Sequence, residues 1–150
     1  MGCERRMSAA ASVAGIQARL EELAKEFQKL EAEGNQNHKA RQAFMQQQQE
    51  TTMVKKELAM LKEGEDDVYK LVGPVLVKQD SAEARANVDK RLEFIKGELS
   101  RLEKQLEGID KRQVKKKEEI MKLQSQAQEI QAKAAQQAQQ AAQQAAQLQG

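Results

Sequence analysis

The sequence is poor in the residues that usually fill a compact globular core. Among its 150 residues there is no tryptophan, one tyrosine and three phenylalanines, so aromatic side chains make up only 3% of the chain. Large rings normally dominate the burial of such a core. Without them, we expect an elongated molecule that buries a narrow apolar seam.

Cysteine, proline and long apolar runs are also scarce. The single cysteine, Cys3, excludes an internal disulfide and a metal site built on several thiolates, and it fits a reducing compartment. No apolar run is long enough to cross a bilayer, so we predict no membrane partner. The one proline leaves long stretches free to continue as helix, because proline is the residue that breaks a helix most strongly.

Charge is abundant but nearly balanced, which disfavours nucleic acid as a partner. The 25 basic and 23 acidic residues leave a net charge of +2, whereas nucleic-acid-binding proteins usually carry a marked basic excess. The densest basic cluster, residues 111–117, is mixed with acidic residues and predicts a solvated helix face. We expect this cluster to pair with Glu31 and Glu33 of the same chain.

Signals for catalysis are absent from the sequence. The only histidine, His38, lies in a polar stretch where a solvated side chain is expected. The chain has no Gly-rich phosphate-binding loop and no paired-histidine metal motif. We therefore predict that the protein is not an enzyme and has no catalytic residues, no metal site and no cofactor.

Two stretches carry the alternating three- and four-residue spacing of apolar side chains that is typical of coiled coils. The first contains Val13, Ile16, Leu20, Leu23, Phe27 and Leu30, then a polar interval at Gly34, Asn37 and Arg41, then Phe44, Val54, Leu58 and Leu61. The second contains Val88, Leu92, Ile95, Leu99, Leu102, Leu106, Ile109, Ile120, Leu123, Ala127, Ile130 and Ala134. They predict one helix over about 12–62 and a second from about Ser81 to beyond Ala132.

The ends and the junctions of these stretches carry weaker signals. Residues 1–11 are expected to form a disordered leader. Residues 135–150 are rich in Ala and Gln and bring little apolar bulk, so we expect a low-complexity tail that frays or is disordered. Gly64, with the acids that follow it, should end helix one. Asp80 or Ser81 should cap helix two.

One short segment, "VYKLVGPVLVKQD" at residues 68–80, differs from everything around it. Its β-branched and aliphatic residues predict strands at 68–72 and 75–79, with Gly73-Pro74 as the turn. An isolated hairpin is marginal in water, and its free edges invite other strands. We therefore expect it to join the hairpins of other chains in closed barrels. The predicted inter-subunit contacts are Val68, Tyr69, Leu71, Val72, Val75, Leu76 and Val77.

Together these elements predict a mainly α fold, in which a long antiparallel two-helix coiled coil carries one central β-hairpin that joins an inter-subunit β-barrel platform. The helix–hairpin–helix domain spans residues 12–134. If the helices fold back on each other, Leu58 lies near Val88 and Leu30 lies near Lys116. At about 1.5 Å per residue, each arm of about 50 residues would extend on the order of 75 Å.

Three segments together resemble the prefoldin family. They are the hairpin sequence, "VKKELAML" at 54–61 before it and "EARANVDKRLEFIKGELSRLEKQL" at 83–106 after it, and the resemblance covers about residues 12–130. It implies a β-class subunit of an ATP-independent heterohexameric chaperone with two α-class and four β-class subunits. The implied location is the cytoplasm, with a nuclear role left open. The implied partners are the other α-class and β-class subunits, the group II chaperonin, and unfolded clients such as actin and tubulin.

The resemblance also implies where clients are held, namely at the arm tips, where helix one begins and helix two ends. The matching tip residues of this chain are Val13, Ile16, Leu20, Leu123, Ala127 and Ile130. The opposing interpretation is that these residues only close the coiled coil. A structural coiled-coil adaptor is the alternative function, and it accounts for the heptads but not for the hairpin.

Overall fold

The computed structural model describes residues 2–62 and 67–149. Its elements follow in the order helix α1 (Gly2–Met60), strand β1 (Val68–Val72), strand β2 (Val75–Gln79) and helix α2 (Ser81–Leu148). The predicted mainly α fold, with two long helices and one central hairpin, is confirmed. Gly64, the predicted stop signal of helix one, lies outside the described residues.

Both helices extend further than the sequence predicts. α1 begins at Gly2, where a disordered leader over residues 1–11 is the expectation. α2 continues to Leu148 through the Ala/Gln-rich tail, where fraying or disorder is the expectation. Alanine is the strongest helix former and glutamine ranks close behind, so local propensity continues each helix beyond its apolar seam. The domain limits at 12 and 134 stay predictions.

The junctions on either side of the hairpin differ in length. Residues 61–67 separate α1 from β1, whereas Asp80 alone separates β2 from α2. The Asp80 carbonyl accepts a hydrogen bond from Ala84 N at 2.9 Å, which places Asp80 at the N-cap of α2. At the end of α1, Leu61 N donates to the Leu58 carbonyl at 3.3 Å.

The hairpin pairs its two strands antiparallel through a two-residue turn. Leu71 lies opposite Leu76, and Val72 lies opposite Val75 on either side of the turn. Gly73 has a φ of 58°, a conformation that glycine adopts without strain. Pro74 follows it with a ring that fixes φ near about −65°. This combination suits a type II′ turn, whose twist matches that of paired strands.

The chain divides into two compact units, and α1 and α2 pack antiparallel in each. The terminal unit comprises α1 up to Ala32 and α2 from Ile109 onward, and the hairpin unit comprises Glu33–Gly108. The buried apolar side chains of the terminal unit are Leu23, Leu30 and Ile109. Those of the hairpin unit are Ala84, Leu92, Ile95, Leu102 and Leu106. All of the larger ones occupy predicted seam positions.

In the hairpin unit, α1 packs polar residues against the apolar seam of α2. Gly34 is buried. Asn37 Nδ2 donates to Gln105 Oε1 at 3.5 Å, and Arg41 Nη2 donates to Glu103 Oε1 at 3.4 Å. The predicted polar interval therefore lies in the seam and connects the helices by hydrogen bonds.

Thr51 also belongs to this seam, although the apolar pattern omits it. Its side chain is buried, and its Oγ1 donates to the Gln47 carbonyl at 2.7 Å. Because this bond within the helix satisfies the hydroxyl group, a threonine can occupy a seam position that is usually apolar.

The predicted register is kept next to the hairpin, where Leu58 and Val88 line the same groove. The predicted alignment places Leu30 opposite Lys116, but Lys116 forms its ion pair with Glu26. Glu26 lies one helical turn before Leu30, and the long lysine side chain reaches it.

Candidate functional site

The hairpin exposes apolar side chains along both of its strands. Six of the seven residues predicted as inter-subunit contacts are exposed, with exposed fractions from 48% to 68%; they are Tyr69, Leu71, Val72, Val75, Leu76 and Val77. The seventh, Val68, is half-buried. The predicted assembly residues therefore lie together on the two strands of one sheet.

Apolar residues occupy both faces of this sheet. Residues paired directly across two strands lie on the same face. Leu71 and Leu76 therefore share one face, while Val72 and Val75 share the other. Within the described part of the chain, no third strand pairs with either edge. Both faces and both edges are thus available to other strands.

A groove of about 620 Å³ runs between β1 and the adjoining ends of the two helices. Its apolar lining consists of Val54, Leu58, Val68, Tyr69, Leu71, Ala84 and Val88, and its polar lining of Lys70, Gln79, Asn87 and Arg91. Val68, Tyr69 and Leu71 thus belong both to the predicted assembly set and to this groove. The groove extends the apolar surface of the hairpin onto the helices.

The second predicted site, the client-binding tip, lies in the terminal unit. All six predicted tip residues, Val13, Ile16, Leu20, Leu123, Ala127 and Ile130, are half-buried. Two of them, Val13 and Ile130, line an open groove of about 370 Å³ between α1 and α2. The other four lie further along the seam.

Sequence reasoning missed most of the lining of the tip groove. Val13 and Ile130 are joined there by Ala9, Ala10, Ala14, Gln17, Gln131 and Ala134. Ala9 and Ala10 fall in the segment predicted as a disordered leader, and Ala134 is the last residue of the predicted seam of α2. The alanine run at residues 9–11 was the available signal, because alanine continues a helix while leaving space between two helices.

Charged groups connect the two helices next to this groove. Arg19 donates to Glu119 Oε1 through Nε at 3.2 Å and through Nη2 at 3.0 Å. It also donates to Glu22 Oε2 at 3.0 Å. The hydrogen bond to Glu119 is the main reason why the pKa of Arg19 lies above its ordinary value.

Lys116 and Lys117 of the basic cluster also contact α1. Lys116 donates to Glu26, and this hydrogen bond is the main reason why the pKa of the Glu26 carboxyl lies below its ordinary value. Lys117 Nζ lies 5.5 Å from the centre of the Phe27 ring, within the range of a cation–π contact. The cluster thus takes part in pairing within the chain.

The described residues show no arrangement suited to metal binding. In residues 2–62 and 67–149, no three His, Cys, Asp or Glu side chains come together as a metal site requires. His38 is exposed. None of the helices in these same ranges is long and apolar enough to cross a membrane.

The sequence of this chain matches a family of known proteins. The family model described as "Prefoldin subunit" matches residues 21–127, a range that contains the hairpin and most of the seam of both helices. The chain belongs to the prefoldin family. Prefoldin subunits are chaperones, and a prefoldin takes other prefoldin subunits as its partners. The hairpin surface lies entirely within the matched range, whereas Val13 and Ile130 lie outside it.

The similarity extends over most of the length of individual relatives. Prefoldin subunit 6 of Arabidopsis thaliana is 46% identical over 121 residues, covering 81% of this chain and 93% of the relative. Prefoldin subunit 6 of Homo sapiens is 39% identical over 117 residues, covering 78% and 90%. These similarities confirm the resemblance that the hairpin and its flanking segments indicated.

A solved structure shows the same fold. The prefoldin beta subunit from Thermococcus strain KS-1 superposes with a TM-score of 0.56, covering 73% of this chain and 90% of its own. Its sequence is 21% identical, so this likeness supports the arrangement of helices and hairpin and nothing further.

Proposed function

We propose that this chain is a β-class subunit of a heterohexameric chaperone that works without ATP. In this proposal it captures unfolded proteins such as actin and tubulin at its tip and delivers them to the group II chaperonin of the cytoplasm. The single observation that carries the assembly part is the hairpin, whose apolar side chains are exposed on both faces.

The hairpin favours assembly because it has apolar surface that the chain leaves in water. Fully burying a Leu or Val side chain contributes about 1.5–3 kcal/mol, and five such side chains on the hairpin are about half to two-thirds exposed. A closed barrel made with hairpins of other subunits would cover both faces and pair both edges. A structural coiled-coil adaptor accounts for the heptads but not for this hairpin.

The tip favours weak capture of unfolded chains. The groove lined by Val13 and Ile130 is open and mainly apolar, as a site for exposed apolar segments of a client would need to be. Coiled-coil ends are also the places where local opening costs least. A single groove would bind weakly, but several arms acting on one client gain by avidity.

The test is a client-capture assay on the assembled complex. The chain is co-expressed with an α-class prefoldin subunit, and the purified complex is added to chemically denatured actin in the absence of nucleotide. We expect light scattering from aggregated actin to fall with increasing complex. Subsequent addition of group II chaperonin should transfer the actin to the chaperonin fraction.

Matched variants locate the capture site. Ile130→Asp places a charge in the tip groove, while Val114→Asp places the same charge at a site on α2 that is 54% exposed. The first variant should assemble normally but suppress aggregation poorly, and the second should behave like the unchanged chain. Equal suppression by both variants would contradict the tip assignment.

A further inference from the structure

The guanidinium group of Arg85 connects the start of α2 to the end of α1. Its Nη2 donates to the Leu58 carbonyl at 3.1 Å and to the Leu61 carbonyl at 3.1 Å. Arg85 is half-buried and lies in the opening turns of α2. The donor and the acceptors are 27 and 24 residues apart in the sequence, so these bonds join two elements rather than cap a helix locally.

The carbonyl groups at the end of α1 need hydrogen-bond donors from outside the helix. The last carbonyls of any helix have no partner within the helix, and a cation placed there also interacts favourably with the helix dipole. The last turn of α1 contains no basic residue of its own. Leu61 N supplies one bond to the Leu58 carbonyl at 3.3 Å, and Arg85 supplies the charge-assisted ones.

This contact fixes the place from which the hairpin leaves the helices. On the α2 side the attachment is short, because Asp80 alone separates β2 from the helix. On the α1 side the connection is longer, and Arg85 holds its first part by binding Leu61, which directly follows the helix. Leu58, whose carbonyl Arg85 binds, also lines the groove beside β1.

Arg85 has open space beside it, so a shorter apolar side chain can take its place. Arg85 borders a second cavity of about 100 Å³, together with Leu58, Ala59 and Val88. The other lining residues, Lys55 and Asp89, form an ion pair at 2.8 Å. A methionine in place of Arg85 would therefore fit without crowding, and the change would chiefly remove the hydrogen bonds.

We propose that Arg85 is a positioning residue for subunit assembly, which holds the end of α1 so that the hairpin and its groove are presented to other subunits in one orientation. The inference rests on the proposed assembly function. It adds a residue outside the hairpin whose effect on assembly is indirect, because it acts through the Leu58 and Leu61 carbonyls.

Three variants separate this role from general stability. Arg85→Met removes the charge and the donors, and Arg85→Lys keeps a cation that can donate to carbonyls. Arg101→Met is the matched control, because Arg101 is an exposed arginine of the same helix whose hydrogen bonds, within the described residues, go to Glu98 of its own helix. Each variant is titrated with an α-class subunit, and the half-assembly concentration is read by mass photometry.

A second readout uses the chain alone. Hydrogen exchange of the Leu61 amide reports whether the end of α1 is held, and circular dichroism melting reports overall stability. We expect Arg85→Met to raise the half-assembly concentration about tenfold, because losing a charge-assisted hydrogen bond raises the fraction of chains whose α1 end is locally open by about that factor. We expect the same variant to exchange faster at Leu61 and to melt close to Arg101→Met.

The outcomes are distinct. Assembly of Arg85→Met at the same concentration as Arg101→Met would overturn the inference. If Arg85→Met folds poorly, Arg85→Lys decides, because a folded Lys variant that assembles no better than the Met variant would also overturn it. If the unchanged chain fails to assemble, the proposed function fails. The exchange of Leu61 in the lone chain still tests the contact in that case.

Discussion

Replacing Leu76 by aspartate should abolish assembly while leaving the chain folded. Leu76 is 65% exposed in the single chain, and Leu71, its partner across the hairpin, is 68% exposed. Covering the remaining two-thirds of Leu76 in a barrel would contribute about 1–2 kcal/mol. A carboxylate buried there without a partner would cost several kcal/mol more. The total, roughly 5 kcal/mol, corresponds to a loss of more than about 10³-fold in affinity for other subunits.

The same substitution should hardly affect the isolated chain. Exposed positions tolerate substitution within about 0.5 kcal/mol, so the helical circular dichroism signal and its melting should persist. Phe94→Asp is the control, because Phe94 is an apolar residue of α2 that is 63% exposed. Sizing with light scattering should show a hexamer for Phe94→Asp and a lone subunit for Leu76→Asp. A full-size complex containing Leu76→Asp would refute the assignment of the hairpin as the assembly surface.

Three other changes test the helices. Ile95→Ala should lower the free energy of unfolding by about 3 kcal/mol, because Ile95 is 1% exposed and the change leaves a cavity. Urea titration measures this loss, and the control Phe94→Ala should stay within about 0.5 kcal/mol of the unchanged chain. Because Lys116 lowers the pKa of Glu26, the stabilisation by this carboxylate is present above its unfolded pKa of about 4.3 and is lost as the pH falls through the lower folded pKa. Melting curves of Glu26→Gln and the unchanged chain should therefore differ at pH 7 and converge at low pH, and a constant difference would contradict this pairing. Deletion of residues 135–150, of which all those described are exposed, should reduce the helical signal without changing assembly, as sizing with α-class subunits would show.

The hairpin could be predicted closely because its signals are local. The predicted strand limits at 68–72 and 75–79 are those of the structure. β-branched residues on both sides of Gly73-Pro74 determine these limits within a few residues of chain. The buried seam residues Leu23 and Ile95 followed in the same way, from the regular spacing of apolar side chains.

The features that the sequence did not reveal depend on distant residues or on competing effects. The ion pair between Lys116 and Glu26 joins residues 90 positions apart, and the spacing of apolar residues does not identify it. The full lengths of the helices could not be predicted from apolar spacing, because their ends depend on the helix propensity of alanine and glutamine. The contact between Arg85 and the end of α1 joins residues more than 20 positions apart, so no local pattern predicts it.

The tip is the part of the site that the sequence foresaw least completely. Val13 and Ile130 follow from heptad spacing, and the structure places both in one groove. Most of that groove is formed by small and amide side chains, including Ala9, Gln17 and Gln131. Such residues carry no distinctive apolar signal, so their part in the groove became visible only when the two helix ends were placed together.

The most direct test of the central claim is the mass of the chain with and without an α-class prefoldin subunit, measured by native mass spectrometry. The proposed function predicts that the two proteins together form a complex of two α-class and four β-class chains, and that the chain alone forms no comparably stable assembly. A chain that remains a monomer in the presence of α-class subunits, or that forms a tight dimer without them, would contradict the account.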